Sequence, residues 1–220
     1  MYRGYKDLEE LWGLVDELNE RYFPGNLRPI LGNGRTVRPK VMFVFINPTS
    51  ANSSSHRNWK GPRFPFIGTK PLWRVFHRAG MFDEYLINHI NQSKSWSLEF
   101  TDQVLQFIRS KSFYLTNIVK WTGSDASLPS SEKIRLFLPI LQREIEIVQP
   151  RYIVTFGLLP FENMTNQKIR LADYYEEIKR GKLRFFDYDG FQTLIPCYFP
   201  VGRGNPKRAV EILRLVNRLP

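Results

Sequence analysis

The sequence has 220 residues, of which 42% are hydrophobic, so it can build one α/β core of ordinary size. It has no apolar run of membrane-spanning length, and its single cysteine, Cys197, excludes an intramolecular disulfide or a site with several thiolate ligands. Three scattered histidines also argue against a zinc site. We therefore expect a cytoplasmic protein without cofactor or metal cluster and without a membrane partner.

The net charge of +11 is concentrated in one segment of the chain. Residues 21–78 contain eleven Lys or Arg residues and no Asp or Glu, whereas the remaining residues hold 21 of each sign. Because ordinary solvated surfaces mix the two signs, this segment predicts a face that binds a polyanion. The alternative is a generally basic protein whose arginines are spread over unrelated surfaces.

The amino-terminal half predicts a helix, a strand, a long loop and two more helices. Leu8 to Phe23 has the spacing of an amphipathic helix rather than of a signal peptide, and Val41 to Phe45 is typical of a buried strand. The loop from Asn47 to Gly68 is long and polar, and such loops are usually functional or disordered. Its aromatic residues and arginines favour function. The next helices are predicted over Leu72 to Met81 and Glu99 to Ser110.

The carboxyl-terminal half alternates strand and helix patterns. Phe113 to Trp121 and Arg151 to Gly157 have strand composition, and residues 184–200 predict two strands joined by a turn at Asp189-Gly190. Helices are predicted over residues 130–148, with a bend or interruption at Pro139, and over residues 173–180 and 206–218, the last capped by Asn205. The alternation predicts a three-layer α/β fold with a central, mainly parallel four-stranded sheet flanked by helices. Without a repeat or a linker, residues 1–220 are expected to form one domain.

Polar residues follow the predicted strands at their carboxyl ends. Asn47-Pro48, Asn117, Gly157 and the stretch "YFPVGRGNP" would gather on one edge of a parallel sheet, where open α/β sheets bind ligands. Three of these four features also have a simpler interpretation. Asn47-Pro48 is a strong turn signal, Asn117 could satisfy neighbouring main chain, and the last stretch could be a basic loop that caps a helix.

These segments resemble the uracil-DNA glycosylase superfamily in order and spacing. "FINPT" is similar to the first motif of its mismatch-specific and single-strand-selective branches. "GPRFPFIG", "FYLTNIVKW", "RYIVTFG" and "PCYFPVGRGNPKR" resemble successive motifs of its thermostable iron–sulfur branch. The resemblance extends from about Leu31 to Arg208. It implies an α/β glycosylase that flips a deaminated base out of DNA and hydrolyses its glycosidic bond.

The sequence departs from these relatives at three places. The cysteines of the iron–sulfur branch are absent, so no cluster is expected. Phe45 and Thr49 occupy positions where relatives have glycines, which would narrow the floor of the pocket. Phe199 stands where most relatives have a histidine, which affects the efficiency of uracil excision.

The resemblance implies a role for individual residues. Asn47 would orient the attacking water, with Phe199 at the second catalytic position in place of the usual histidine. Ile46, Pro48, Phe66 and Asn117 would bind the base, with Phe66 stacking on it and the Asn117 amide reading its edge. The residues expected to contact DNA are Arg57, Lys60 and Arg63 in the basic segment, and Val201, Arg203, Asn205 and Lys207 in the last loop and helix.

The expected function is monofunctional excision of uracil in base excision repair, by a monomer that leaves an abasic site. Two alternatives keep the same fold: a non-catalytic nucleic-acid-binding relative, and a glycosylase for another damaged base such as hypoxanthine. A third alternative is a nucleotide hydrolase with no DNA partner. The basic segment without acidic residues argues against it.

Overall fold

The computed structural model describes residues 2, 4–188, 190, 192–202 and 204–220. In these ranges the chain forms one sheet flanked by eight α-helices. The strands are β1 (Gly32–Gly34), β2 (Val41–Phe45), β3 (Phe113–Asn117), β4 (Tyr152–Phe156), β5 (Phe186–Tyr188) and β6 (Gln192–Cys197). The helices are α1 (Leu8–Tyr22), α2 (Pro71–Arg78), α3 (Glu84–Gln92), α4 (Leu98–Ser110), α5 (Ser131–Val148), α6 (Leu158–Thr165), α7 (Leu171–Lys179) and α8 (Pro206–Asn217).

The sheet has six strands in the order β1-β3-β2-β4-β6-β5. Strands β3, β2, β4 and β6 are parallel, which confirms the α/β class and a mainly parallel centre. Strands β1 and β5 pair antiparallel with β3 and β6 at the two edges. The prediction of a four-stranded sheet was therefore wrong by two strands.

Strand β1 carries no sequence signal because it is the tripeptide Gly-Asn-Gly. Its glycines are required by the close approach of the neighbouring chain. A Cβ at Gly32 would lie 2.9 Å from the main-chain O of Leu115 and 2.5 Å from Oε1 of Glu144. This edge strand thus depends on contacts with β3 and α5 rather than on its own composition.

The parallel strands and the longer helices agree with their sequence patterns. All five residues of β2, β3 and β4 are buried, as expected for strands covered on both faces. Helix α5 runs through Pro139 without interruption, and the side chains of Ser130 and Asn205 cap α5 and α8 as N-cap acceptors. The predicted strand 113–121 ends earlier, at Asn117, and the short helices α3 and α6 were not predicted. The predicted turn residue Asp189 lies outside the described residues.

The strand order reverses at β2. The chain runs from β2 outward to β3, then returns past β2 to β4 and continues outward to β6. Ligands of open α/β sheets bind beyond the carboxyl ends of the strands at such a reversal. The topology therefore places a candidate site where Ile46, Asn47 and Asn117 end their strands.

Candidate active site

A cleft of about 1130 Å³ lies at the carboxyl ends of β2, β3 and β6. Its walls come from residues within four stretches of chain, 46–52, 65–72, 125–128 and 199–204, together with Asn117. Seven of the residues that the sequence assigned to the site are among those lining the cleft. They are Ile46, Asn47, Pro48, Phe66, Asn117, Phe199 and Val201.

Asn47 follows β2, and its amide is oriented by the next residue. Asn47 Nδ2 donates to the main-chain O of Pro48 at 2.9 Å, which leaves Oδ1 as the acceptor for a water or a ligand. The loop is held from the other side, because the Gly123 N–H donates to Pro48 O at 2.9 Å and the Ser50 N–H donates to Gly123 O at 2.9 Å. Glycine at position 123 also leaves room for the amide, since a Cβ there would lie 3.2 Å from Asn47 Nδ2.

Asn117, the last residue of β3, is only 1% exposed, yet neither polar atom of its amide has a hydrogen-bond partner among the described residues. In proteins the large majority of buried polar side-chain atoms have a hydrogen-bond partner, and an unpaired group costs about 1–3 kcal/mol. Because Asn117 lines the cleft, a bound ligand can supply the missing donor and acceptor. The arrangement suits a planar ligand whose edge carries both.

Phe66 forms part of one wall of the cleft in a strained conformation. Its φ of 69° is in the left-handed region, which a bulky residue rarely adopts and which costs of the order of 1–3 kcal/mol. Its main-chain O accepts hydrogen bonds from Trp73 Nε1 at 3.0 Å and Thr69 Oγ1 at 2.9 Å, which hold this backbone in place. The Phe66 ring contacts the buried Phe45 ring edge-on, with centroids 4.6 Å apart. The large residue at position 45 thus supports the cleft wall.

Phe199 lies half-buried in the cleft at the start of a tight loop. A Cβ at Gly157 would lie 3.9 Å from Phe199 Cδ2, so the ring lies beside the carboxyl end of β4. The Asn205 N–H donates to Phe199 O at 3.0 Å, and the Gly204 N–H donates to Val201 O at 3.0 Å. A Cβ at Gly204 would lie 1.9 Å from Phe199 O, which requires glycine there.

The predicted DNA contacts fall into two groups. Arg57 and Arg63 do not line the cleft, because they bind carboxylates of α1. Arg63 makes two hydrogen bonds to Asp16, at 2.7 and 2.8 Å, and its guanidinium lies 4.2 Å from the centroid of the Trp12 ring. Arg57 forms an ion pair with Glu20.

The remaining predicted contacts are Lys60, in the long loop, and four residues of the stretch 201–207. Lys60 and Lys207 are exposed, and Val201 is half-buried in the cleft wall. Asn205 Oδ1 accepts from the Arg208 N–H at 3.1 Å as the N-cap of α8. Arg203 lies outside the described residues.

The sequence did not predict the loop that carries Asp125 and Leu128, which also lines the cleft. Asp125 Oδ1 accepts from the Ser127 N–H at 2.8 Å, and hydrogen bonds from the Ser127 hydroxyl and N–H lower the pKa of Asp125. The cleft therefore has an ionised carboxylate at its rim. Leu128 is 67% exposed beside it. The signal was the run of Gly, Ser, Asp and Pro directly after a strand end, where binding loops concentrate.

The described ranges contain no group of three or more His, Cys, Asp or Glu side chains that could hold a metal ion. No helix in those ranges is long and apolar enough to cross a membrane. Among the described residues that line the cleft, the functional groups are amides, hydroxyls, aromatic rings and the carboxylate of Asp125.

One comparison with known proteins gives a match that covers most of the chain. The family model of the Uracil DNA glycosylase superfamily matches residues 31–217, from the residue before β1 to the last residue of α8. A search of curated proteins gave no match. The matched range contains every cleft residue and excludes all of α1.

Proposed function

Since the chain belongs to the uracil DNA glycosylase superfamily, whose members hydrolyse N-glycosidic bonds in DNA, we propose that it excises uracil from DNA. The reaction is monofunctional: the target nucleotide is flipped into the cleft, the glycosidic bond is hydrolysed, and an abasic site remains. The observation that carries this proposal is the buried amide of Asn117, unpaired among the described residues and lining the cleft.

The Asn117 amide supplies the selection of the base. Its Oδ1 accepts from uracil N3–H and its Nδ2 donates to uracil O4. Cytosine presents the opposite pattern, with an acceptor at N3 and a donor at the 4-amino group. An amide fixed in one direction would therefore place Oδ1 against the N3 acceptor and Nδ2 against the amino donor. A site built to pair with one pattern rejects the other strongly, because its buried groups are then left unpaired.

Phe66 holds the flipped base by stacking. Enzymes that act on a single base take it out of the helix and enclose it between aromatic or apolar side chains. The left-handed backbone of Phe66 and its contact with Phe45 keep the ring in the cleft wall before a base arrives. The apolar side chain of Val201, across the cleft mouth in the last loop, fills the gap that the nucleotide leaves in the duplex.

Asn47 directs the water. Cleavage passes through a cationic, oxocarbenium-like sugar, so the attacking water needs correct placement more than deprotonation. Asn47 Nδ2 is held by Pro48, and Oδ1 therefore accepts a hydrogen bond from the water and aims it at the sugar carbon. The ionised Asp125 at the rim adds a negative potential that favours the cationic sugar.

The side chain at position 199 stabilises the departing base less than the histidine that most relatives have there. The pyrimidine anion gathers charge on O2, where a histidine would donate a hydrogen bond. Phe199 has no comparable donor, and the N–H groups of Gly204 and Asn205 are already used within the loop. We therefore expect slow excision.

The DNA is held by basic side chains, among them Lys60, Arg203 and Lys207, and by the amino-terminal end of α8. The protein acts as one domain and as a monomer, in the cytoplasm, as the first enzyme of base excision repair. It needs no cofactor for this hydrolysis.

A gel assay tests the proposal. The protein is incubated with single- and double-stranded oligonucleotides that contain uracil, hypoxanthine, xanthine or a normal base, and abasic sites are cleaved with alkali. We expect cleavage at uracil.

Asn47→Ala should reduce the single-turnover rate about 10²-fold or more with little change in DNA affinity, because water placement matters mainly in the transition state. Asn117→Asp should suppress uracil excision, since a carboxylate cannot donate to O4 and repels the anion.

Asn88→Ala, on the exposed face of α3, is the matched control and should retain the parental rate. Parental activity in both cleft variants would mean that the site lies elsewhere. Cleavage only at hypoxanthine or xanthine would assign another substrate, and binding without any cleavage would assign a non-catalytic role.

A further inference from the structure

A cluster of buried polar side chains lies directly behind the cleft. Tyr114, Thr116, Lys120 and Glu144 are all fully buried. Glu144, on α5, accepts hydrogen bonds from Tyr114 at 2.8 Å, from Thr116 at 2.9 Å and from Lys120. The glycine at position 32 makes room for this carboxylate, since a Cβ there would meet Oε1 at 2.5 Å. Lys120 and Glu144 thus form an ion pair inside the protein.

The Lys120 ammonium connects this cluster to the cleft. Besides its bond to Glu144, Nζ donates to Thr116 Oγ1 at 2.7 Å and to the main-chain O of Asn117 at 2.6 Å. An ammonium has three donors, so all three are used. The main chain of Asn117 is thereby fixed at its carbonyl, while its amide has no protein partner among the described residues. Any restraint that Lys120 places on the amide therefore acts through the main chain of Asn117.

Stability alone does not explain an ion pair at this position. Burial lowers the pKa of Lys120 and raises that of Glu144, so each charge depends on the other. The desolvation of a buried pair is so unfavourable that well-packed apolar residues in its place are often neutral or stabilising. Apolar residues, however, could not donate a directed hydrogen bond to the main-chain carbonyl of Asn117, the residue proposed to read the base.

We propose that Lys120, oriented by Glu144, is a positioning residue that sets the direction of the Asn117 amide and with it the discrimination between uracil and cytosine. The inference deepens the proposed function and rests on it. The ammonium also places the positive end of the ion pair beside the base-binding residue, where negative charge develops as the base leaves.

The test removes both charges together, because Lys120→Met alone would leave a buried carboxylate unpaired. In the variant Lys120→Met with Glu144→Gln, the glutamine can still accept from Tyr114 and Thr116. We expect this variant to fold and to bind uracil-containing DNA as the parent does. Its single-turnover rate on uracil should fall about tenfold or more, and its ratio of uracil to cytosine excision should fall as well, because small displacements of a reading group have effects of this size.

Leu141→Ala is the matched control, since it removes a buried side chain from α5 and leaves the ion pair intact. It should lower the melting temperature while the folded protein retains the parental ratio. A folded double variant with the parental rate and ratio would overturn the inference.

A second measurement does not depend on activity. The side-chain amide resonances of Asn117, assigned by their loss in Asn117→Asp, should shift or broaden in the double variant and stay unchanged in Leu141→Ala. If the parent cleaves no substrate, the proposed function fails, and these resonances still decide whether Lys120 positions Asn117. Unchanged resonances would overturn the positioning role.

Discussion

Single residues of the cleft divide into those to which the proposed function gives a role and one, Phe199, that lacks the polar group expected at its position. Asn47 and Asn117 lie at adjacent strand ends with their amides available to a ligand, and Phe66 is held in a strained conformation beside them. Phe199 occupies the same cleft without a polar group. Its ring lies beside Gly157, so a polar side chain at this position would also face the cleft.

Phe199→His should increase the rate of excision. A preorganised donor to a developing oxyanion contributes about 3 to 4 kcal/mol, or roughly 10²–10³ in rate. We expect a gain of at least about tenfold in the single-turnover rate on uracil, below the full value because the surrounding loop was shaped around phenylalanine. Thermal melting checks the fold of the variant. A folded variant with no gain would show that this side chain does not face the leaving group.

At the scale of elements, helix α1 braces the long loop that carries Phe66. Arg63 of the loop makes its two hydrogen bonds to Asp16 with a side chain only 17% exposed, and it lies against the Trp12 ring. Arg28 adds hydrogen bonds to the main-chain O of Trp59 at 2.8 Å and of His56 at 3.0 Å. The loop is thus tied to a helix that lies wholly outside the range matched by the family model.

Asp16→Ala should weaken this brace. It leaves the partly buried Arg63 without its carboxylate, and we expect a loss of about 1–2 kcal/mol in the free energy of unfolding, at the lower end for a hydrogen bond to a charged group because Asp16 is partly exposed. The single-turnover rate should fall too, because the Phe66 wall loosens. Denaturant unfolding and the gel assay measure the two effects.

The exposed ion pair of Arg57 with Glu20 serves as the control for Asp16→Ala. Both side chains are about half exposed, so Glu20→Ala should change the unfolding free energy by less than about 1 kcal/mol. The charge-swapped variant Asp16→Arg with Arg63→Asp should recover part of the lost stability. Equal effects of Asp16→Ala and Glu20→Ala would contradict a special role for Arg63.

At the scale of the whole molecule, the basic segment 21–78 contributes no charged side chain to the lining of the cleft that the structure describes. None of the eleven basic residues of segment 21–78 is among the described residues that line the cleft. Six acidic residues precede the segment within residues 1–20, and two of them pair with Arg57 and Arg63. In the proposed function, basic side chains outside the cleft attract the phosphates, and the amides and rings of the cleft receive the base.

Affinity for a generic duplex should fall steeply as salt increases. Five phosphate contacts give a log–log slope of roughly −4 to −5. Fluorescence anisotropy over a range of salt concentrations measures it. Lys207→Ala should make the slope smaller by about one, whereas Arg57→Ala should change it little because Arg57 is paired with Glu20. A slope near zero, or binding to free nucleotides alone, would contradict the DNA partner.

The sequence by itself determined the parallel centre of the sheet and the residues at its edge. Apolar runs such as Val41–Phe45 encode burial locally, and in a parallel sheet their carboxyl ends meet, so Asn47 and Asn117 could be assigned to one site before their contacts were known. Both asparagines lie within residues 31–217, the range matched by the family model.

Only the tertiary structure decided which partner each charge takes. Asp16 and Arg63 are 47 residues apart, and Lys120 and Glu144 are 24 apart. No local pattern distinguishes an arginine that will contact phosphate from one that will bind a carboxylate. Local patterns also gave no sign that Gly-Asn-Gly would form strand β1 or that Asp125 would lie at the cleft rim. Hydrophobic periodicity reports burial along one segment, whereas pairing and close approach depend on segments that the fold brings together.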